Sequence, residues 1–311
     1  MPQAETVRSC RQLAEAFPRI HYKDNSSKLQ FTGLEPGKDV YNITAPFADG
    51  GALYIAGRVE RRDSEHSEVV FFRQDGGAWA ADASVPRLAL QDPFVCRIGG
   101  ELVAGGVEVF DDTERPGRLN YRTVFLRGAS LHSLQRFACG PDRMKDIRLH
   151  ELPDGRVLLL TRPQGEVGGH GKIGWTILDS LAQLDVPHIE AATVLQGQFL
   201  PEEWGGGNEM HRLAGTRVGV LSHIARFDEA GCRHYHATAF VLDWASGAYT
   251  PMQMIAMRCN FADGPSKHPD LQDVIFSGGL VRGGDGTARL YCGVSDAEGH
   301  AITIPDPFYG C

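Results

Sequence analysis

The 311-residue sequence has no C-x-x-C pair, no basic run interleaved with aromatic residues, and no apolar window approaching the roughly 18 residues of a membrane span. Each absence removes a class of protein. The seven cysteines (Cys10, Cys96, Cys139, Cys232, Cys259, Cys292 and Cys311) are odd in number and scattered, which argues against a disulfide framework or zinc knuckle and fits a reducing compartment. A formal net charge of −8 repels a phosphate backbone, so nucleic acid is not an expected partner, although a local basic pocket for a small anion is compatible with it. The opening MPQAETVRSCRQLAEAFPRI lacks the roughly 7–15-residue apolar core of a signal peptide. With no membrane partner in view, the expectation is a soluble cytoplasmic protein whose oligomeric state the sequence leaves open.

Helical periodicity is scarce as well: one amphipathic helix is expected, near residues 5 to 17. The remainder reads as short apolar runs such as Ala52–Ala56, Val69–Phe72 and Val157–Leu160, punctuated by Asp49-Gly50-Gly51, Asp75-Gly76-Gly77, Gly99-Gly100, Asp154-Gly155 and Asp285-Gly286. Those are strand and hairpin signals. An acidic residue, an apolar run, a Gly-containing turn and a second strand recur at Asp39, Asp92, Asp146, Glu209 and Asp273, with spacings of 53, 54, 63 and 64 residues. The period is slightly longer than that of common propeller blades. The predicted fold is therefore all-β, a five-bladed β-propeller forming one domain over residues 1–311, with a small helical cap within residues 1 to about 30.

Innermost propeller strands line the channel, so the five acids are expected to converge at one mouth. The Gly-rich stretches TRPQGEVGGHGKIGW and FLPEEWGGGNEMH are expected to be loops carrying Trp175 and Trp204.

Cleaving or forming a glycosidic bond needs a carboxylic acid at the leaving oxygen. Asp92 is the leading acid, because the Pro93 that follows denies the strand a donor and favours an exposed inner edge. Asp146 is the second catalytic candidate, with Lys145 and Arg148 beside it equally able to make it a structural ion pair. If phosphate is the nucleophile it needs cations and donors, and Arg58, Arg162 and His223 stand near strand ends in different repeats. His211, just past the fourth acid, joins the substrate-binding candidates. Cys232, His234 and His236 alternate onto one strand face and imitate a metal site; no metal and no cofactor are expected. Gly169-His170-Gly171-Lys172-Ile173-Gly174 fits a dinucleotide fingerprint but lacks its strand-turn-helix context.

With these residues in hand, the chain resembles the five-bladed propellers of glycoside hydrolase family 130, the inverting β-mannoside phosphorylases. The resemblance spans most of residues 39 to 297. Asn42 with Arg58-Val59-Glu60, Gln91-Asp92-Pro93, Lys145-Asp146, Arg162-Pro163, Ser222-His223, Asp273 and Asp296 carry it. It implies that Asp92 is the general acid, that Arg162 and His223 bind phosphate, and that Asn42, Arg58, Asp273 and Asp296 hold the sugar. A Thr at 161 where His is usual, Asp273 where Asn is usual, and Gly205-Gly206-Gly207-Asn208 where a Lys is usual make the chain more similar to the group known as domain of unknown function 1861, glycosyltransferase family 108. That resemblance implies β-1,2-mannosyl transfer and phosphorolysis on mannose oligosaccharides, with inorganic phosphate as partner and mannose 1-phosphate or GDP-mannose as donor. Kept beside it are a β-mannoside hydrolase, with Asp146, Glu209 or Asp273 as base, and a non-catalytic carbohydrate-binding propeller.

Overall fold

The computed structural model describes residues 7–18, 22–64 and 66–311, and within them the protein is all-β with a few short helices. The apolar runs become the long strands Ala52–Arg61, Glu68–Asp75 and Val157–Thr161, and the turns between them are closed by glycine. Gly50 and Gly51, for example, sit at φ 55° and 79°, a backbone region costly for residues with a Cβ.

The strands form successive antiparallel meanders. The first runs from Lys38–Tyr41 through Ala52–Arg61 and Glu68–Asp75 to Ala78–Ala81. A second orders Gln91–Ile98, Glu101–Asp111, Leu119–Gly128 and Gln135–Cys139, and a third begins at Arg148–Glu151. The remaining strands form one eight-stranded sheet in which Trp204–Arg212, Arg217–Phe227 and Arg233–Asp243 are joined to Asp273–Arg282, Thr287–Val294 and Glu298–Pro305. The junction is a two-residue parallel pairing, His234 with Asp273 and Tyr235 with Val274. The early strand Ser26–Lys28 pairs with Glu298–Pro305, so a segment from the beginning of the chain completes the last meander.

First strands of the meanders lie side by side. Arg148–Glu151 neighbours Gln91–Ile98 and Trp204–Arg212, and Asp273–Arg282 neighbours both Trp204–Arg212 and Gln91–Ile98. The apolar core fills the spaces between sheets, as in the cluster of Phe94, Val103, Phe125, Ile147 and Leu159.

The expected helix is Cys10–Ala16, whose start is fixed reciprocally: Ser9 Oγ accepts from Gln12 N–H at 3.1 Å and Gln12 Oε1 accepts from Ser9 N–H at 2.9 Å. Cys10 and Leu13 join the apolar cluster that contains Leu158, Leu160 and Phe199. Residues 5 and 6 of that expectation lie outside the described residues. Among the described residues no helix is long and apolar enough to cross a membrane.

Two loop expectations are corrected. Trp175 lies in the strand Gly174–Leu178, and Trp204 begins the strand Trp204–Arg212. The Gly205-Gly206-Gly207 run is a close-packing requirement instead of a loop: a Cβ at Gly205 would stand 2.2 Å from the His223 carbonyl oxygen, and one at Gly207 2.5 Å from Leu160.

Candidate functional site

Side chains from first and second strands and from the turns beside them converge on a cavity of about 450 Å³, lined by Asn42, Arg58, Asp92, Lys145, Asp146, Arg162, His223 and Asp296 among others. The backbone there is unusual. Of the six non-glycine residues with positive φ among the described residues, Asn42 (45°), Asp92 (48°), Asp146 (59°) and Asp296 (48°) all line this cavity. Asn and Asp tolerate this conformation better than other side chains, yet it costs free energy, and such strain gathers at functional sites where the surroundings hold it.

One group of residues centres on Asp92. Its Oδ1 accepts from Asn42 Nδ2 at 2.7 Å and from Arg58 Nη1 at 3.2 Å. Arg58 is aimed by Glu60, two residues along and so on the same strand face, through a 3.0 Å bond from Nη2, and Ser67 accepts from its Nε at 3.0 Å. Glu60 also accepts from Lys267 Nζ at 2.6 Å and from the hydroxyls of Tyr41 and Ser67.

A second group centres on Asp146, 1% exposed. Arg162 Nη1 donates to its Oδ2 at 3.1 Å, while Arg162 Nε donates to the Gly205 carbonyl at 3.0 Å. Arg148 stands 3.9 Å from the other carboxylate oxygen. Gly206 lies in the angle between them: a Cβ there would come within 3.1 Å of Asp146, Arg162 and His223 alike. His223 Nδ1 faces Asn208 Oδ1 at 3.0 Å, and Asn208 spends both its amide bonds on Ser277, at 2.7 and 2.8 Å. Asn208 thus presents an acceptor to the ring, so the proton belongs on Nδ1 and Nε2 carries a bare lone pair.

The electrostatics divide the three carboxyls. Burial raises Asp146, but Arg162, Lys145, His223 and Arg148 together hold it down to about 2. Burial likewise opposes ionisation of Asp92, and Arg58, Lys145 and the Asn42 amide outweigh it, so its pKa lies below the usual carboxylate value. The acid of a glycosidic site is often raised in the free protein; here the cations arranged for an anion hold Asp92 ionised. Asp296 behaves oppositely: burial, opposed by Arg58 and reinforced by the charge on Asp92, pushes it up to about 6. His223 is driven down to about 3, chiefly by burial with Arg162 and Lys145 adding to the effect, and is neutral at physiological pH. Two neighbouring carboxyls with separated pKa values are the usual basis of acid–base work.

A stability prediction arises from Asp296. An acid whose pKa is higher folded than unfolded binds more protons in the folded state, so stability falls as pH rises from about 4 to about 6. Asp296→Asn removes this slope. The variant is expected to exceed wild type at neutral pH by up to ~3 kcal/mol, at ~1.4 kcal/mol per pKa unit, with the gap closing towards pH 4. Urea denaturation at the two pH values measures it.

Seven sequence-predicted residues line the cavity together: Asn42, Arg58, Asp92, Asp146, Arg162, His223 and Asp296. The expected convergence of five acids does not occur; Asp92 and Asp146 reach the cavity and three do not. Asp39 pairs with Arg62 at 2.5 Å. Glu209 accepts from Leu280 N–H at 2.6 Å and lines a separate cavity of about 280 Å³. Asp273 is 2.6 Å from His234 Nδ1, and His211 lies beside Glu209 at 2.9 Å and the Phe308 ring at 5.7 Å, so neither lines the main cavity. A bulge at Asn208 explains the Glu209 and His211 placements, since one extra residue reverses which positions face the site. The sequence reading missed Lys145, Lys267 and Tyr235 as site residues. Lys145 had a signal in its adjacency to Asp146; Lys267, in the loop before Asp273, had none.

An all-β scaffold that gathers carboxylates, guanidiniums, a lysine and a neutral histidine into one polar cavity defines a site for a small, hydroxyl-rich or anionic ligand. Residues 16–310 match the model of the family described as protein of unknown function DUF1861, and the chain belongs to that family. It is similar to MPT-4 of Leishmania mexicana, a mannose phosphorylase solved in complex with phosphate ion, at 36% identity over 90% of this chain and 88% of that one, with a TM-score of 0.83. MPT-1 of the same organism, a GDP-Man-dependent mannosyltransferase, is 31% identical over 97% and 96% of the two chains, with a TM-score of 0.87. The 4-O-beta-D-mannosyl-D-glucose phosphorylase of Bacteroides fragilis is 25% identical over 213 residues, 63% of this chain; the match spans about half (52%) of that curated relative's length.

Proposed function

We propose that the protein is a five-bladed β-propeller enzyme that phosphorolyses and transfers β-linked mannose with inversion, taking mannose oligosaccharides and inorganic phosphate, or mannose 1-phosphate or GDP-mannose, as substrates. One observation carries the reading. A single cavity holds a carboxylate supported by an amide and a guanidinium (Asp92, Asn42, Arg58) together with a cationic cluster and an unprotonated imidazole nitrogen (Lys145, Arg162, His223). The first group suits a sugar and its glycosidic oxygen; the second suits phosphate.

In this reading Asp92 is the general acid and base. It is ionised in the free site, and phosphate entering beside Lys145 and Arg162 offsets the cations that keep it so, which raises its proton affinity when an acid is needed. Asp146 stays ionised and positions Arg162. His223 Nε2 accepts from a protonated phosphate oxygen, and phosphate attacks the anomeric carbon as Asp92 gives its proton to the leaving sugar oxygen, directly or through a sugar hydroxyl. In synthesis the same steps reverse. Phosphate and the sugar donor are substrates, so the chemistry calls on no further cofactor, and seven free thiols fit a reducing cytoplasm.

Hydrolysis would need a second carboxylate as base. Asp146 is bound to Arg162, and Glu209 and Asp273 lie outside the cavity, so none of the three carboxylates considered for that role suits it.

The sheet face bearing His223 continues outward as cross-strand rows, Trp204–Ala225–Tyr235 and then Phe227–Arg233. Tyr235 stacks on His223 with ring centres 5.7 Å apart and accepts from Trp204 Nε1 at 2.9 Å. Phe227 is 48% exposed and lies 4.8 Å from the Trp204 ring. This strip is where the rest of the mannoside chain lies. Phe227→Ala is expected to raise KM about fivefold for longer mannose oligomers, with kcat and the KM of the shortest substrate unchanged, since one exposed aromatic face contributes about 1 kcal/mol. Initial rates over a chain-length series check it. The function itself is tested by phosphate-dependent formation of mannose 1-phosphate.

A further inference from the structure

Behind the cavity wall, on the opposite face of the strand from Arg233 and Tyr235, His234 and His236 meet Asp273 across the short parallel junction of the two meanders. One ligand atom from each lies within 4.8 Å of the others. Three features distinguish the group from an ordinary surface cluster. His236 is 2% exposed, and its Nδ1 has no hydrogen-bond partner among the described residues, an expensive arrangement for a ring nitrogen left without purpose. His234 presents Nδ1 to Asp273 Oδ2 at 2.6 Å and Nε2 to Asp228 Oδ2 at 3.2 Å. A histidine that binds a metal through one nitrogen while giving its other N–H to a carboxylate is the usual supporting arrangement of a metal site. Finally, two carboxylates, Asp273 and Asp228, converge on His234, while Arg226, the guanidinium that acts on His236, also acts on Cys10 and Glu203.

We propose that His234, His236 and Asp273 form a structural site for a divalent transition-metal ion, zinc foremost, with Asp228 orienting His234. Two imidazoles and one carboxylate match the donor preferences of zinc, with a water completing the tetrahedron. Bonds of ~2.0 Å imply ligand atoms ~3.3 Å apart, so the cluster must contract, and half-exposed Asp273 is free to turn. The ion would fasten Arg233–Asp243 to Asp273–Arg282 where only two residue pairs now join them, and so fix the wall that carries Tyr235, Val274 and Phe276 into the cavity. Asp273 is 37 residues from His236 in sequence, which is why spacing alone pointed to Cys232 instead.

The test uses untagged full-length protein, stripped of metal, exposed to zinc chloride and passed through gel filtration, with zinc measured by atomic emission and melting followed with and without the metal. Wild type is expected to retain one zinc per chain and to gain about 5 °C in Tm. Asp273→Ala and His236→Gln are expected to lose both effects; the half-exposed position of Asp273 keeps the test valid if His236→Gln folds poorly. Zinc retained undiminished by Asp273→Ala would place the ion elsewhere, for instance on the exposed thiols Cys259 and Cys311, and overturn the proposal. So would a wild-type Tm that zinc does not move.

Discussion

Asp92→Asn is expected to fold like wild type and to lose about 10³-fold or more in kcat, equally for phosphorolysis and for synthesis, the scale on which removal of a positioned acid–base group acts. The substitution is chosen for its physics. Asn tolerates the positive φ of 48° at this position, and its amide oxygen still accepts from Asn42 and Arg58, so neither strain nor a lost acceptor at Arg58 Nη1 confuses the result. Asp92→Ala would introduce both, with Glu60 and Ser67 still holding the rest of the guanidinium. What the Asn variant cannot do is carry a proton to or from the glycosidic oxygen. Reversibility requires one group to serve as acid in cleavage and base in synthesis, so loss in only one direction would contradict the assignment. Near-normal turnover in both directions would move the role to Asp146, whose ion pairs make it a far poorer proton donor.

Arg162→Lys is the second large effect, expected to raise KM for phosphate about 10²-fold while leaving sugar binding nearly intact. The guanidinium is held by three different acceptors, the Gly205 carbonyl, Asp146 and the His170 carbonyl, at 3.0, 3.1 and 3.5 Å. A lysine keeps the charge and can keep Asp146, but it loses the planar fork that is fixed by the backbone and that suits phosphate. Partial loss of support for Asp146, whose Oδ1 has Arg148 at 3.9 Å but no hydrogen-bond partner among the described residues, should also lower Tm modestly. Phosphate saturation curves at fixed oligosaccharide measure the effect. An unchanged KM would mean that the anion docks away from Arg162.

How much of this was legible in the sequence depended on the range of the interactions. Hairpins were readable because period-two apolar runs and Gly turns act within a few residues; Ala52–Arg61 and Val157–Thr161 extend the apolar runs that announced them. Asn42, Asp92 and Asp296 were readable because short motifs at strand ends and the turns beside them place them there. Glu209 and His211 were placed at the site wrongly because nothing local announced the bulge at Asn208, and a one-residue slip exchanges the two faces of a strand. The Gly205–Gly207 run looked like a flexible loop because glycine signals freedom locally, whereas here it answers to His223, Phe199 and Leu160 from other elements. Lys267 and the junction of His234 with Asp273 exist only through tertiary pairing, and no window of sequence contains them. Charge balance was equally invisible: burial dominates at Asp296, whereas at Asp92 it is outweighed by Arg58, Lys145 and the Asn42 amide, which come from different strands and loops.

The most direct test of the account is to incubate the purified protein with β-1,2-mannose oligomers with and without inorganic phosphate and to follow mannose 1-phosphate and free mannose. The cationic cluster predicts mannose 1-phosphate formed only when phosphate is present, with the oligomers shortened one sugar at a time. Free mannose released at the same rate in the absence of phosphate would contradict it.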